Sequence, residues 1–393
     1  MNYILFGDQT RDNLLPFTFT RPIADLRVGI LTVREKWEAY LNEKTSSLTE
    51  EFLSYKYPLV KKNDNILING SIFPNNQIIK EINDLEPNQT LVVGETIIAL
   101  RLKAKDIDNF DLDLIEGVSP MVTSSEPVKI RQLWEVFKFN GQAIRDDFEL
   151  ITKGRKSQKI DASNNVIQPD QVFIEEGAKV ENAIINASEG PVYIGEDAHV
   201  MDGSIIRGPV ALGKGAAIRM GAKIYGNTTI GPYSKVGGEI SETVFFGYSN
   251  KSHDGFLGNS VIGEWCNLGA NTTTSNLKNN YEPVRIWSYL ENSFVETGLQ
   301  FCGTFMGDHS KCGINTMFNT GTVVGVNANI FGTGFMRNFI PSFSWGSVSG
   351  FSVFEINKAI ELAKIVFSRR NRKFDKTEEA ILRNVYERTF NYR

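Results

Sequence analysis

Three histidines stand in this chain of 393 residues, at positions 199, 253 and 309. Imidazole takes up and returns a proton near neutral pH, so each is a candidate general base. His199 and His309 fall at outward or corner positions of a regular six-residue repeat and read as solvated surface residues. His253 falls where that repeat breaks, in Ser249-Asn-Lys-Ser-His-Asp-Gly-Phe-Leu-Gly-Asn259. An irregular, glycine-containing loop on a rigid scaffold is the usual seat of chemistry, which singles out His253 for proton transfer. A second cluster of charge is the run Arg369-Arg370-Asn371-Arg372-Lys373. Its simpler reading is a solvated junction between two helices, and the alternative is a phosphate or nucleotide site. Of the three cysteines, Cys312 falls on a bulky slot of the repeat and Cys266 on a slim one. Neither is spaced for zinc, so reduced cytoplasmic thiols are expected.

The element that must position His253 is the repeat itself. Ile194, Val200, Ile206, Leu212, Ile218, Ile224, Ile230 and Val236 stand six residues apart. Four places after each of the first seven comes a slim residue: Ala198, Ser204, Val210, Ala216, Ala222, Thr228 and Ser234. A helix repeats its apolar face every 3.6 residues and a strand every 2, so a strict six fits neither alone. It fits a parallel β-helix, in which one bulky and one slim side chain per hexad point inward. The repeat opens weakly at Ile174 and Val180 and loses phase after Val236. It returns at Ile262, Leu268 and Thr274, breaks over 275–293, and resumes at Met306, Cys312, Phe318, Val324 and Ile330. Loops thrown out of a solenoid tend to share its binding face, so chemistry is expected at 237–261 and 275–300.

Ahead of the solenoid the pattern is mixed. Residues 3–7 read as a buried strand, and 65–69 and 90–94 as further strands. Thr32 and Glu35 make a capping box for a helix bearing Val33, Trp37, Tyr40 and Leu41. Ile130, Leu133, Trp134 and Phe137 mark another helix, and Ile144, Phe148 and Ile151 a third. The expected organisation is an α/β domain over 1–155, a polar linker over 156–171, the β-helix over 172–348, and C-terminal helices over 349–393. Two more capping boxes, Ser352 with Glu355 and Asp375 with Glu378, are expected to start those helices. Charged residues make up 22% and hydrophobic ones 41%, as in a soluble globular protein, and the net charge is −4. That balance gives no pull toward nucleic acid or an anionic membrane. No run approaches transmembrane length, and charges precede any signal-peptide apolar stretch. A cytoplasmic location is expected.

Lys251-Ser-His-Asp-Gly-Phe-Leu-Gly, followed by Val261-Ile-Gly-Glu-Trp-Cys-Asn-Leu-Gly-Ala-Asn-Thr-Thr-Thr-Ser-Asn276, resembles a known active-site stretch. It is similar to that of the bifunctional enzymes that acetylate glucosamine-1-phosphate and then uridylylate it. The family pattern is K-(x)-x-H-x-x-Y-I-G-D, then I-G-x-x-x-N-I-G-A-G-T-I-T-x-N. The resemblance implies a left-handed β-helix acting as an acyltransferase on acetyl-CoA, assembled as a homotrimer with sites between subunits. It further implies His253 as general base, with Lys251 and Asn276 contacting the sugar. Ala270 would lie beside the thioester, with Thr297 and Ile314 lining the acyl-CoA. Lys235, in Gly231-Pro-Tyr-Ser-Lys-Val-Gly-Gly-Glu239, replaces the first arginine of the family's phosphate-binding stretch, and Gly237 leaves the second without a counterpart. Phe256 replaces the family's tyrosine, removing a hydroxyl contact to the sugar phosphate. Asn271 replaces a glycine, a substitution the left-handed backbone tolerates.

The front of the chain resembles sugar-phosphate nucleotidyltransferases, whose opening pattern is G-x-G-T-R-x-x-P-x-T-x-x-x-P-K. Here Gly7-Asp-Gln-Thr-Arg-Asp-Asn-Leu-Leu-Pro-Phe-Thr-Phe-Thr-Arg-Pro-Ile23 lacks the second glycine and has Ile23 for the lysine. The family's metal-binding Gly-Asp is Gly70-Ser71. That reaction needs cations around a triphosphate and Mg²⁺ held by carboxylates. The resemblance therefore assigns Arg11, Arg21 and Arg27 as replacement charge and Asp8 as the metal ligand. Three readings stay open: acyl transfer to a sugar phosphate or nucleotide sugar, a working nucleotidyltransferase in front of it, and a trimeric sugar-nucleotide-binding scaffold without catalysis.

Overall fold

The computed structural model describes residues 1–107 and 118–393, which divide into two compact units. The first comprises Met1–Leu14, Thr20–Leu26 and Leu31–Gln132, and the second Leu15–Phe19, Arg27–Ile30 and Leu133–Arg393.

The first unit is an α/β layer on a six-stranded mixed sheet. Its strands are β1 (Asn2–Phe6), β2 (Thr45–Leu48), β3 (Asp64–Asn69), β4 (Gln89–Val93), β5 (Thr96–Lys103) and β6 (Ser119–Val122), in spatial order β2-β1-β3-β5-β4-β6. β1 pairs in parallel with β2 and β3, and every one of its residues is buried, as a run of apolar residues central in a sheet requires. The capping box at Thr32 forms: its hydroxyl accepts from the Glu35 amide at 3.1 Å, and Glu35 accepts from the Thr32 amide at 2.6 Å. Trp37, on the helix Val33–Leu41, is wholly buried and its indole donates to the Ile72 carbonyl at 2.8 Å. The helix expected around Ile130 is shorter, Glu135–Lys138. Upstream the backbone is taken by pairing, with Lys129 bridging Ile72 and the Ile130 amide donating to Ser71, so Ile130 is buried without being helical.

The second unit is the solenoid with its attached segments. Parallel sheets run along it, one beginning at Asn165–Ile167, one at Val172–Ile174 and one at Lys179–Val180. None of the fifteen bulky and slim residues of the Ile194–Val236 ladder is more than 2% exposed. Fully burying each Ile, Val or Leu contributes roughly 1.5–3 kcal/mol, so the column is the core of the unit. Polar slim residues are satisfied inside it: Ser204 donates to the Met201 carbonyl at 2.6 Å and Ser310 to Gly325 at 2.6 Å.

The structure redraws several boundaries. Residues 133–155, including the helix Asn140–Thr152, belong with the solenoid, where the Asn140 side chain donates to the Asn227 carbonyl at 2.8 Å. The stretch 156–171 is no linker, because Asn165–Ile167 pairs with Ile184–Asn186 as the first strand of a sheet. Its polar residues face outward while Val166 and Ile160 pack on the core. The solenoid also continues through 237–261, where the hexad phase is lost. Ile230 stacks on Phe245, fifteen residues on, and Phe245 on Ile262, seventeen on, so two coils are merely shorter than eighteen. The loop at 275–300 carries an antiparallel hairpin, Arg285–Ser288 with Ser293–Glu296. Ser352 lies in a strand, Gly350–Val353, and donates to the Trp345 carbonyl, so the helix Ile356–Ser368 begins without the expected side-chain cap. Asp375 does cap the helix Lys376–Arg388, accepting from the Thr377 and Glu378 amides. Among the described residues no helix is long and apolar enough to cross a membrane.

Candidate active site

His253 sits in a sharp turn between two strands of one coil, Asn250–Lys251 and Phe256–Gly258. Gly255 makes the turn possible: its φ is +112°, and a Cβ there would come within 2.2 Å of the Thr272 carbonyl oxygen on the next coil. His253 lines a cleft of about 750 Å³ together with Ser252, Lys235, Asn250, Ala270 and Ile314. The cleft thus gathers four residues that the sequence points to: His253, Lys235, Ala270 and Ile314. Asn271, at the adjacent corner, adopts φ +58°, as its replacement of a glycine requires.

The same cleft is lined by three arginines that were not assigned to it: Arg219, Arg369 and Arg370. The basic run is therefore more than a solvated junction. The side chain of Arg370 donates to Asn250 Oδ1 at 2.9 Å, and that of Arg372 to the Tyr248 hydroxyl at 2.5 Å. What brings them there is a stack of aromatic corners on successive coils. Tyr233 stacks on Tyr248 (5.1 Å between centroids), and Tyr248 stacks on Trp265 (4.2 Å). Phe367, near the end of the helix Ile356–Ser368, closes on Trp265 at 3.9 Å and so carries the arginines that follow it to the cleft. All three corner residues have φ near +60°. The signal was present in the sequence as an aromatic at equivalent corners, hidden because the shortened coils shift its spacing.

His309 belongs to this stack and is not a solvated residue. It is 4% exposed and lies parallel to Trp265 and Phe367. A corner is solvated only if nothing covers it, and the C-terminal helix covers this one. His199 is half-buried on the strand His199–Val200 and does not line the cleft.

The electrostatics of the cleft are one-signed. Burial lowers the Lys235 pKa from the ordinary lysine value, and the positive charges of Arg370 and Arg219 lower it further. Burial likewise lowers Arg370; Tyr248 opposes this, while Arg219 adds to it. Like charges held together cost free energy that a bound anion relieves.

Other assigned residues lie elsewhere. Lys251 does not face the cleft: it is 1% exposed, and its ammonium donates to the His253 carbonyl at 2.7 Å and the Asp254 carbonyl at 3.1 Å. The shortened coil is the reason, because it moves position 251 into the inward column, paired with Val236. The Asn276 amide donates to Asn259 Oδ1 at 2.7 Å and does not line this cleft. Thr297 is buried and donates to the Val284 carbonyl at 2.8 Å, its hydroxyl engaged in the base of the hairpin. The three cysteines are free and buried, and burial pushes their thiols up, away from reactivity.

In the first unit, Asp8 accepts from Lys129 Nζ at 2.6 Å and from the Asn69 amide at 2.8 Å. Burial raises its pKa, but hydrogen bonds from Lys129, Thr10 and Asn69 outweigh that and hold it below the usual carboxylate value. Arg11 is paired with Glu50 at 2.5 Å and with Asp12 at 2.9 Å, Arg21 is buried, and Arg27 donates to the Phe246 carbonyl at 3.2 Å within the second unit. Among the described residues no group of three or more His, Cys, Asp or Glu is placed to hold a metal ion. In this structure the partners of the Asp8 carboxylate are Lys129, Thr10 and Asn69.

The second unit is thus a parallel β-helix of hexads with a histidine turn at the edge of a cationic cleft. The sugar nucleotidyl transferase family matches residues 3–156. The bifunctional protein GlmU of Methanocaldococcus jannaschii is 28% identical over 294 residues, covering 71% of this chain and 66% of that protein. A bifunctional sugar-1-phosphate nucleotidylyltransferase/acetyltransferase of Sulfurisphaera tokodaii is 34% identical over 162 residues, covering 41% of this chain and 39% of that protein. An uncharacterized acetyltransferase, YaiX, of Escherichia coli is 32% identical over 164 residues, covering 41% of this chain and 70% of that one. The chain belongs to the acetyltransferase family that includes YaiX, and its residues 3–156 carry the sugar nucleotidyl transferase match. It spans less than two thirds of the length of the two bifunctional relatives.

Proposed function

We propose that the second unit transfers an acetyl group from acetyl-CoA to an amino or hydroxyl group of a phosphate-bearing sugar, either a sugar phosphate or a nucleotide sugar. The observation that carries this reading is the convergence of His253 with Arg219, Lys235, Arg369 and Arg370 around one cleft that also holds Ala270 and Ile314. His253 takes the proton of the attacking group as its nitrogen or oxygen bonds to the thioester carbonyl carbon. The carbon–sulfur bond then breaks, and the coenzyme leaves as its thiol after accepting that proton. The cations match the phosphates that both substrates carry. Release of thiol from acetyl-CoA, measured against a panel of amino sugars, sugar phosphates and nucleotide sugars, tests the reading. No release with any acceptor would overturn it in favour of a binding scaffold.

The reading includes a homotrimer assembled along the solenoid. It is supported by exposed apolar residues on adjacent coils, with Ile184 in register with Ile205 and Ile167 and Tyr225 exposed nearby. Sedimentation equilibrium at micromolar concentration should give three times the chain mass, and a monomer there would count against shared sites.

The first unit is proposed to bind a sugar nucleotide without turning it over. Support comes from the pairing of Asp8 with Lys129 and of Arg11 with Glu50, which engages these two loop charges with protein partners. Pyrophosphate release from each NTP with sugar-1-phosphates and Mg²⁺ should stay at background, whereas turnover with any pair would restore the nucleotidyltransferase reading.

A further inference from the structure

Lys251 is a lysine inside an aliphatic column. Val236 pairs with it on one side, and Leu268, Cys312 and Ile330 continue the column on the coils beyond. A charge in such a place is costly unless it is hydrogen-bonded, and a Leu or Ile would pack there without that cost. Its ammonium meets three backbone carbonyls, those of His253 at 2.7 Å, Asp254 at 3.1 Å and Gly237 at 3.4 Å. Two of these belong to the turn that carries the imidazole. They point into the solenoid, where no strand partner could satisfy them, because a turn has no ladder.

We infer that Lys251 is a positioning residue whose buried ammonium pins the His253–Asp254 backbone from inside the coil, so that the imidazole is held toward the cleft. The inference rests on the reading of His253 as the proton acceptor. A turn tied only by its flanking strands would let the ring wander, and a displacement of about 1 Å at a reacting group costs about 10²-fold in rate.

The protonation behaviour supports the geometry. Burial lowers the Lys251 pKa to about 8, against the opposing effect of Asp254 and Cys312, the titratable groups beside it. Between about 8 and the ordinary lysine value, the unfolded chain holds a proton that the folded one has lost. The global contribution of this lysine therefore rises with pH across that window. The pin itself weakens over the same window, because a neutral amine has two N–H donors for three carbonyls. Overall stability and order of the turn should thus move in opposite directions.

The test is Lys251→Met, whose unbranched side chain fills the column without a donor. The folded variant should lose about 10²-fold in kcat, with KM for acetyl-CoA and acceptor changing by less than about threefold. Amide hydrogen exchange at residues 252–255 should accelerate, while exchange in the Ile194–Val236 coils stays slow. Unchanged kcat, or a raised KM for acceptor with kcat intact, would overturn the inference, the latter by making Lys251 a substrate contact. If the variant fails to fold, the wild-type chain decides. Raising pH from 7 to 9 should reduce protection at 252–255 beyond the ordinary base catalysis of exchange, and constant protection would overturn the inference. This arm needs no turnover, so its failure is separable from failure of the acyltransferase reading.

Discussion

His253→Ala should slow acetyl-CoA-dependent thiol release by about 10²–10⁴-fold, the usual worth of a positioned general base. The loss should lie in kcat, with KM for acetyl-CoA nearly unchanged, because Ala270, Ile314 and the cations are independent of the imidazole. Stability should be retained. The side chain lies at the surface of a turn whose fold depends on Gly255 and on the carbonyls held by Lys251. His199→Ala is the control, since it lies on a regular strand outside the cleft. His309→Ala is not a neutral control, because it removes a buried ring from the stack of Trp265 and Phe367. Thiol release by His253→Ala at the wild-type rate would remove the residue from the mechanism.

The second large effect is expected from the paired substitution Arg369→Ala with Arg370→Ala. Hydrogen bonds from a charged donor contribute about 1.5–3 kcal/mol each, and each 1.4 kcal/mol is tenfold in affinity. KM for the phosphate-bearing substrate should therefore rise roughly 10²-fold, with kcat little altered, since phosphates lie away from the reacting atoms. The salt dependence of KM should flatten in the variant, because it has lost the charges that salt screens. Lys235 should regain a more ordinary pKa once the positive charge of Arg370 is removed. Unchanged KM for every phosphorylated substrate would return the basic run to a purely structural role. Phe367→Ala provides a separate check: it keeps the charges but breaks the 3.9 Å stack on Trp265, and should raise the same KM by releasing the segment that carries them.

The solenoid was legible because its core is local and periodic. One bulky and one slim residue recur every six positions from Ile194 to Val236, and no other element tolerates that pattern. The same periodicity exposed His253, since a break in a strict repeat is visible without any coordinates. Thr32 and Asp375 were equally legible as helix caps, because capping depends on residues three positions apart. Ser352 matched the same signature and failed, because a strand partner at Trp345 claimed the segment first.

What the amino-acid sequence by itself determined is the hexad coil, the α/β unit ahead of it, and the histidine at the break; each is encoded within a few residues of itself. What only the tertiary structure decided is which charges face that histidine. Arg369 and Arg370 reach it across more than a hundred residues, through Phe367 on Trp265, and no local pattern records that contact. The inward turn of Lys251 was hidden for a related reason. A side chain's facing in a solenoid depends on how many residues each coil contains, and two coils of fifteen and seventeen residues turned an apparent substrate ligand into the core.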